Sequence, residues 1–160
     1  ELVWPSLVAA KEMCEVKAAS FDVKIILKGD SGLKAKINSQ LLEQAIVNLI
    51  DNAIKYSEKG SQVIVNLSAR SNEIVISVTD TGAGIEKEHL PRLFERFYRI
   101  DKARSRQLGG TGLGLSIVKH VSLAHRGKVD VVSELGKGST FSIILPKIDR
   151  ESHRILTESN

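Results

Sequence analysis

Three polar residues recur along one stretch of apolar periodicity: Asn48, Asn52 and Lys55, spaced four and three apart. On a helix that turns about 100° per residue they make one narrow stripe. Leu42, Ile46, Leu49, Ile50 and Ala53 recur at helical spacing and make a separate apolar face. Asparagine in mid-helix is a poor local choice, because its amide competes for backbone hydrogen bonds. A ligand would explain the pair. Amide oxygens are hard ligands suited to Mg²⁺, and a lysine one turn on suits a phosphate. The plainer alternative is a solvated helix face.

Two further stretches can do chemistry. Asp80 ends a predicted strand, followed by Gly82 and Gly84. Glycines let backbone approach a ligand closely, and the carboxylate can accept from an amine edge such as the adenine 6-amino group. A bare strand-to-turn junction uses the same residues. Gly109-Gly110-Thr111-Gly112-Leu113-Gly114-Leu115 runs into a helix, whose free N–H groups and dipole favour phosphate. It is neither a Walker A loop nor a dinucleotide fingerprint, and its alternative is a flexible hinge. Phe94–Arg99 reads alone as an amphipathic turn, and Gly138-Ser139-Thr140 as a turn into a strand.

These residues need elements to carry them. A helix runs from Trp4-Pro5-Ser6 to about Ala19, with Leu7, Ala10, Cys14 and Lys17 on its buried side. Phe21–Leu27 reads as a strand, Gly29–Gly32 as a turn, and Lys34–Ile37 as a short strand. Asn38 caps the helix bearing the asparagine stripe, and Gly60 is the expected stop. Ser61–Ala69 and Glu73–Asp80 alternate as a hairpin turned at Ser71-Asn72. Phe94–Gly114 lacks periodicity and reads as a mobile loop. Leu113–His125 is a helix stopped by Gly127; Val129–Ser133 and Ser139–Leu145 form a last hairpin ended by Pro146. Strands and helices are partly segregated and three strand pairs look like hairpins or near-hairpins. The fold expected is an α+β two-layer sandwich, with a mixed sheet of about five main strands against three helices.

With 42% hydrophobic and 26% charged residues, the 160-residue chain has the composition of a soluble one-domain protein. No apolar run reaches the roughly 20 residues that span a bilayer, and no signal peptide opens the sequence. The single cysteine, Cys14, fits a reducing compartment. Six basic residues (Arg92, Arg96, Arg99, Lys102, Arg104, Arg106) crowd one stretch against Glu95 and Asp101. Aromatic residues, at 4%, are too few for a base-stacking platform, so nucleic acid is not the expected partner.

Together the motifs carry a resemblance. Asn48–Tyr56, Asp80–Gly84, Phe94–Phe97, Gly110–Leu115 and Gly136–Phe141 resemble, in order, the N, G1, F, G2 and last glycine boxes of the sensor histidine kinase catalytic and ATP-binding domain. That domain is a GHKL, or Bergerat-fold, ATPase. The likeness covers about residues 1–147, and Phe94–Lys119 is most like phosphate-regulon sensors of the PhoR type. One departure is Arg126-Gly127, where the family often has Gly-Gly.

The resemblance implies roles. Asn52 binds Mg²⁺ with Asn48 in support; Lys55 neutralises phosphate; Tyr56 packs near the base. Asp80 reads the adenine amine, with Gly82, Gly84 and Ile85 around it. Arg96 and the stretch to Gly112 form an ATP lid. Gly110, Gly112 and Gly114 line the phosphates, Thr111, Leu113 and Leu115 belong to the same ATP-binding set, and Thr140 lies near the adenine pocket. Asn48, Asn52, Lys55 and Arg96 are the catalytic set, with ATP and Mg²⁺ as substrate and cofactor. None of His89, His120, His125 and His153 has the context of a phosphoacceptor. The acceptor is therefore expected on a separate helical hairpin, for which residues 1–15 are a junction, with a response regulator downstream. The whole protein is expected to be a homodimer, this part of it cytoplasmic, with membrane contact only through upstream segments, and residues 148–160 a tail. Rival readings are a GHKL ATPase that drives a clamp and a nucleotide-binding pseudokinase.

Overall fold

The computed structural model describes residues 1–99 and 114–148. Helix α1 spans Trp4–Ser20, with a proline in its first turn. Leu7, Ala10, Cys14 and Ala18 return at three- and four-residue steps and are buried. Helix α2 spans Ser39–Tyr56; Asn38 caps it by accepting from the Leu41 N–H at 3.1 Å. Helix α3 spans Gly114–Ala124. The strands are β1 (Lys24–Gly29), β2 (Gln62–Arg70), β3 (Glu73–Asp80), β4 (Lys128–Glu134) and β5 (Gly138–Pro146). They form one mixed sheet in the order β1-β2-β3-β5-β4.

The sheet's alternation builds the core. Val65, Val78 and Phe141 stand in register, as do Leu67, Ile76 and Ile143. All six are buried, and they form one cluster with Leu7, Leu42, Ile46 and Ile50 from the helices. Helices α1, α2 and α3 supply the second layer, as a two-layer α+β sandwich requires.

Three local expectations change. Lys34–Ile37 is not a sheet strand: only a single antiparallel bridge, Leu2 to Lys34, forms there, flanked by Val3 N–H to Leu33 and Ala35 N–H to Glu1. Strand β1 has no neighbouring hairpin partner and pairs parallel with β2. That geometry needs a long crossover, which α2 provides. Helix α2 stops at Tyr56, before Gly60: Ser57 already has an extended backbone (φ −81, ψ 152), and its hydroxyl donates to the Ala53 carbonyl at 2.6 Å. Just past the end of α3, Arg126 takes φ +58, the left-handed position that glycine usually fills, and Gly127 N–H closes onto Ser122 O.

Candidate functional site

Asp80 is the fourth inward position of β3 after Ile74, Ile76 and Val78, so strand parity buries its carboxylate on the helix side of the sheet. Its Oδ1 accepts from the Gly82 N–H at 2.9 Å, and the Ser139 N–H donates to the same carboxylate. Burial pushes its pKa up, and these two N–H groups pull it partly back. The result is a fixed acceptor on a buried wall.

The turn after β3 is packed against its surroundings by missing side chains. A Cβ on Gly82 would lie 2.3 Å from the Tyr56 carbonyl oxygen, so the end of α2 abuts this turn. A Cβ on Gly84, which has φ +79, would lie 2.2 Å from the Glu134 carbonyl oxygen. The Ile85 N–H then donates to the Ser133 hydroxyl at 2.8 Å, and Gly136 N–H donates to Ala83 O at 2.7 Å. The hairpin of β4 and β5 thus clamps the turn from below.

Asn48, Asn52 and Lys55 lie half-buried along α2. The Asn48 amide donates to the Gly114 carbonyl at 3.4 Å, which brings the stripe to the first residue of α3. Leu115 is half-buried and packs on the core. Tyr56 is exposed at the end of α2. Lys55 is not poised alone over open space: its ammonium lies 3.1 Å from Asp51 Oδ2, and Asp51 also pairs with Lys17 of α1. Lys17, expected on the buried side of α1, sits at that face through this ion pair. Asp51 is a residue that sequence reasoning passed over, although its spacing of four from Lys55 is the signal of an intrahelical pair.

Thr140 needs correction. Its hydroxyl lies 3.0 Å from that of Thr79, its register partner, and strand parity puts both on the face opposite Asp80. The residue beside Asp80 is Ser139, buried and in register with it.

Phe94 packs edge-on against Phe141, with centroids 6.1 Å apart, and so ties the segment after the short 3-10 helix (Lys87–Arg92) to β5. Arg96 is exposed, its guanidinium 4.9 Å from the centroid of the Phe97 ring. Gly110, Thr111, Gly112 and Leu113, and the lid expected up to Gly112 from residue 100 onward, lie outside the described residues.

The donor set fits a nucleotide with its metal. Amide oxygens of Asn48 and Asn52 are hard ligands, and the fixed Asp80 carboxylate suits an amine edge. No described helix is long and apolar enough to cross a membrane.

Residues 37–149 match the family model described as "Histidine kinase-, DNA gyrase B-, and HSP90-like ATPase". The sensor-like histidine kinase SenX3 of Mycolicibacterium smegmatis is 46% identical over 140 residues, covering 87% of this chain and 36% of that protein. The chain thus spans about a third of the length of the SenX3 relatives it matches. The nucleotide-free catalytic domain of histidine kinase ThkA shares the fold, with TM-score 0.79 at 21% identity over 92% of this chain and 93% of that one. Full-length ShkA, solved in complex with AMPPNP, aligns with TM-score 0.76 at 32% identity over 89% of this chain and 29% of that one.

Proposed function

The chain belongs to the histidine kinase-, DNA gyrase B- and HSP90-like ATPase family, as a histidine kinase catalytic domain, and from that premise we propose that it binds ATP with Mg²⁺ and donates the γ-phosphoryl group to a histidine. The observation that carries this reading is the buried, doubly hydrogen-bonded Asp80 carboxylate at the end of β3, whose following turn abuts the last residue of the helix bearing Asn48, Asn52 and Lys55. The AMPPNP held by ShkA supports the same nucleotide class.

Each residue has a task in this reading. Asp80 accepts from the adenine amine and sets the base. Asn52, with Asn48 beside it, holds Mg²⁺. That ion, when bound, neutralises charge on the phosphate oxygens. Lys55 adds a second positive charge, and Arg96 belongs to the same catalytic set. Phosphoryl transfer needs chiefly positioning and charge neutralisation, so no general base is required of this chain. The neutral imidazole is itself the nucleophile.

That imidazole comes from another domain. Transfer needs the nucleophile about 3–3.5 Å from the phosphorus and in line with the leaving oxygen. Two of the three described histidines are committed to other contacts. His125 accepts from the Asn38 N–H at Nε2 and contacts the Val121 carbonyl at Nδ1; His89 Nδ1 meets the Tyr98 hydroxyl. His120 is exposed on α3. The acceptor is a separate helical hairpin of a homodimeric sensor, anchored through segments outside this domain, and the phosphohistidine passes its group to an aspartate of a response regulator.

The test is incubation with γ-labelled ATP, alone and with the separately made hairpin. Label should appear only in the mixture, on the hairpin, and be acid-labile. Stoichiometric label on this chain alone, or rapid hydrolysis without phosphohistidine, would contradict the reading.

A further inference from the structure

Asp51 joins two helices at the edge of the site. Its Oδ1 takes the Lys17 ammonium from α1, and its Oδ2 lies 3.1 Å from Lys55 Nζ on α2. Lys55 keeps only 12% of its side chain exposed, whereas Lys17 keeps 38%. The lysine that belongs to the stripe is therefore the more enclosed of the two. The helix contact is registered by packing: Cys14, one turn before Lys17, is buried with Sγ 3.9 Å from the Val47 carbonyl.

A lysine that turns to a phosphate gives up at least part of its carboxylate. Asp51 is two-thirds buried, with 31% of its side chain exposed, so losing its sole counterion would be unfavourable. It does not have a sole counterion. We propose that Lys17 is a positioning residue for the nucleotide site: it holds Asp51 when Lys55 turns to the polyphosphate, so that Lys55 is released without stranding the carboxylate. The inference rests on Lys55 being the phosphate-binding lysine. Nucleotide affinity then depends on where α1 sits.

A simpler effect must be separated from this one. Lys17 is also a positive charge, and could favour an anion through space. The two differ in what they need from Asp51. Release through the shared carboxylate disappears when that carboxylate is gone; attraction through space persists, and strengthens.

The experiment is a cycle of calorimetric ATP–Mg²⁺ titrations on the whole chain: unmodified, Lys17→Met, Asp51→Asn and the double variant, with melting temperatures recorded throughout. Lys17→Met should weaken ATP about two- to fivefold, the range of a partly exposed ion pair. In the Asp51→Asn background the same change should alter affinity less than about 1.5-fold. Lys17→Arg should restore binding. An unchanged affinity for Lys17→Met, or an equal loss with and without Asp51, would overturn the inference while leaving ATP binding intact. Failure of the unmodified chain to bind ATP would instead remove the functional reading itself, and this inference with it.

Discussion

The two ends of the site are built differently. At the end of β3, Asp80 is 5% exposed, hydrogen-bonded to two backbone N–H groups, and backed by a turn whose glycines leave no room for a side chain. On α2, Asn48, Asn52 and Lys55 are half-buried, and the lysine is held by a carboxylate it shares with another helix. The first end is preorganised: its groups already occupy one arrangement, and a ligand has little left to order. In the second, the lysine is held by a carboxylate that keeps another lysine when it lets go, so it can rearrange at smaller free-energy cost. A base is the same in every nucleotide state; the phosphates change in number and charge. A rigid reader suits the former and an adjustable one the latter.

The sharpest break should come from the rigid end. Gly84→Ala combines φ +79 with a Cβ 2.2 Å from Glu134 O, and should destabilise the fold by about 3 kcal/mol or more. Gly136→Ala has the same φ of +79 but open space around it, and should lose only about 1–2 kcal/mol. Thermal unfolding of both variants separates close packing from backbone strain. If the two fell equally, the turn would not be clamped.

Next in size is the ligand. Asp80→Ala leaves the adenine amine without its acceptor, at about 1–3 kcal/mol, and ATP affinity should fall roughly 5- to 150-fold by calorimetry. Asn52→Ala should weaken ATP by roughly tenfold, but only with Mg²⁺ present. Equal losses with and without the metal would take Asn52 out of the metal shell. The helix itself should be intact, since alanine is the better helix former.

Asp80→Asn probes the rigid end more finely. Burial raises the carboxyl pKa above its ordinary value of 3.8, so the folded state favours the protonated form. Asp80 therefore adds relative stability below its unfolded pKa, and loses it as pH rises through the raised folded one. At neutral pH the empty protein carries a desolvated carboxylate, and Asp80→Asn should raise the melting temperature. The gain should shrink on acidification and vanish below about pH 3.8, where both states are protonated. A gain independent of pH would point to a cause other than ionisation.

Much of the rigid end is readable from strand parity alone. Counting inward from Ile74 through Ile76 and Val78 reaches Asp80, and counting back from Ile143 and Phe141 reaches Ser139. The same count moves Thr140 to the other face, so the residue beside Asp80 was legible and only the motif obscured it. The asparagine stripe was legible from helical spacing. What the sequence could not supply is tertiary. The pairing of β1 with β2 depends on α2 bridging them, and no local pattern distinguishes a parallel partner from a hairpin. The Asp51–Lys55 pair follows from a spacing of four, but Lys17 joins it only because α1 packs across α2.

Whether the two ends act as separate readers is best tested by one double-mutant cycle: ATP–Mg²⁺ titrations of the unmodified chain, Asp80→Ala, Asn52→Ala and the double variant. Groups without shared partners should give losses that add within about 0.5 kcal/mol. A double variant no weaker than Asp80→Ala alone would contradict the account, because it would mean that base and metal are held by one coupled unit.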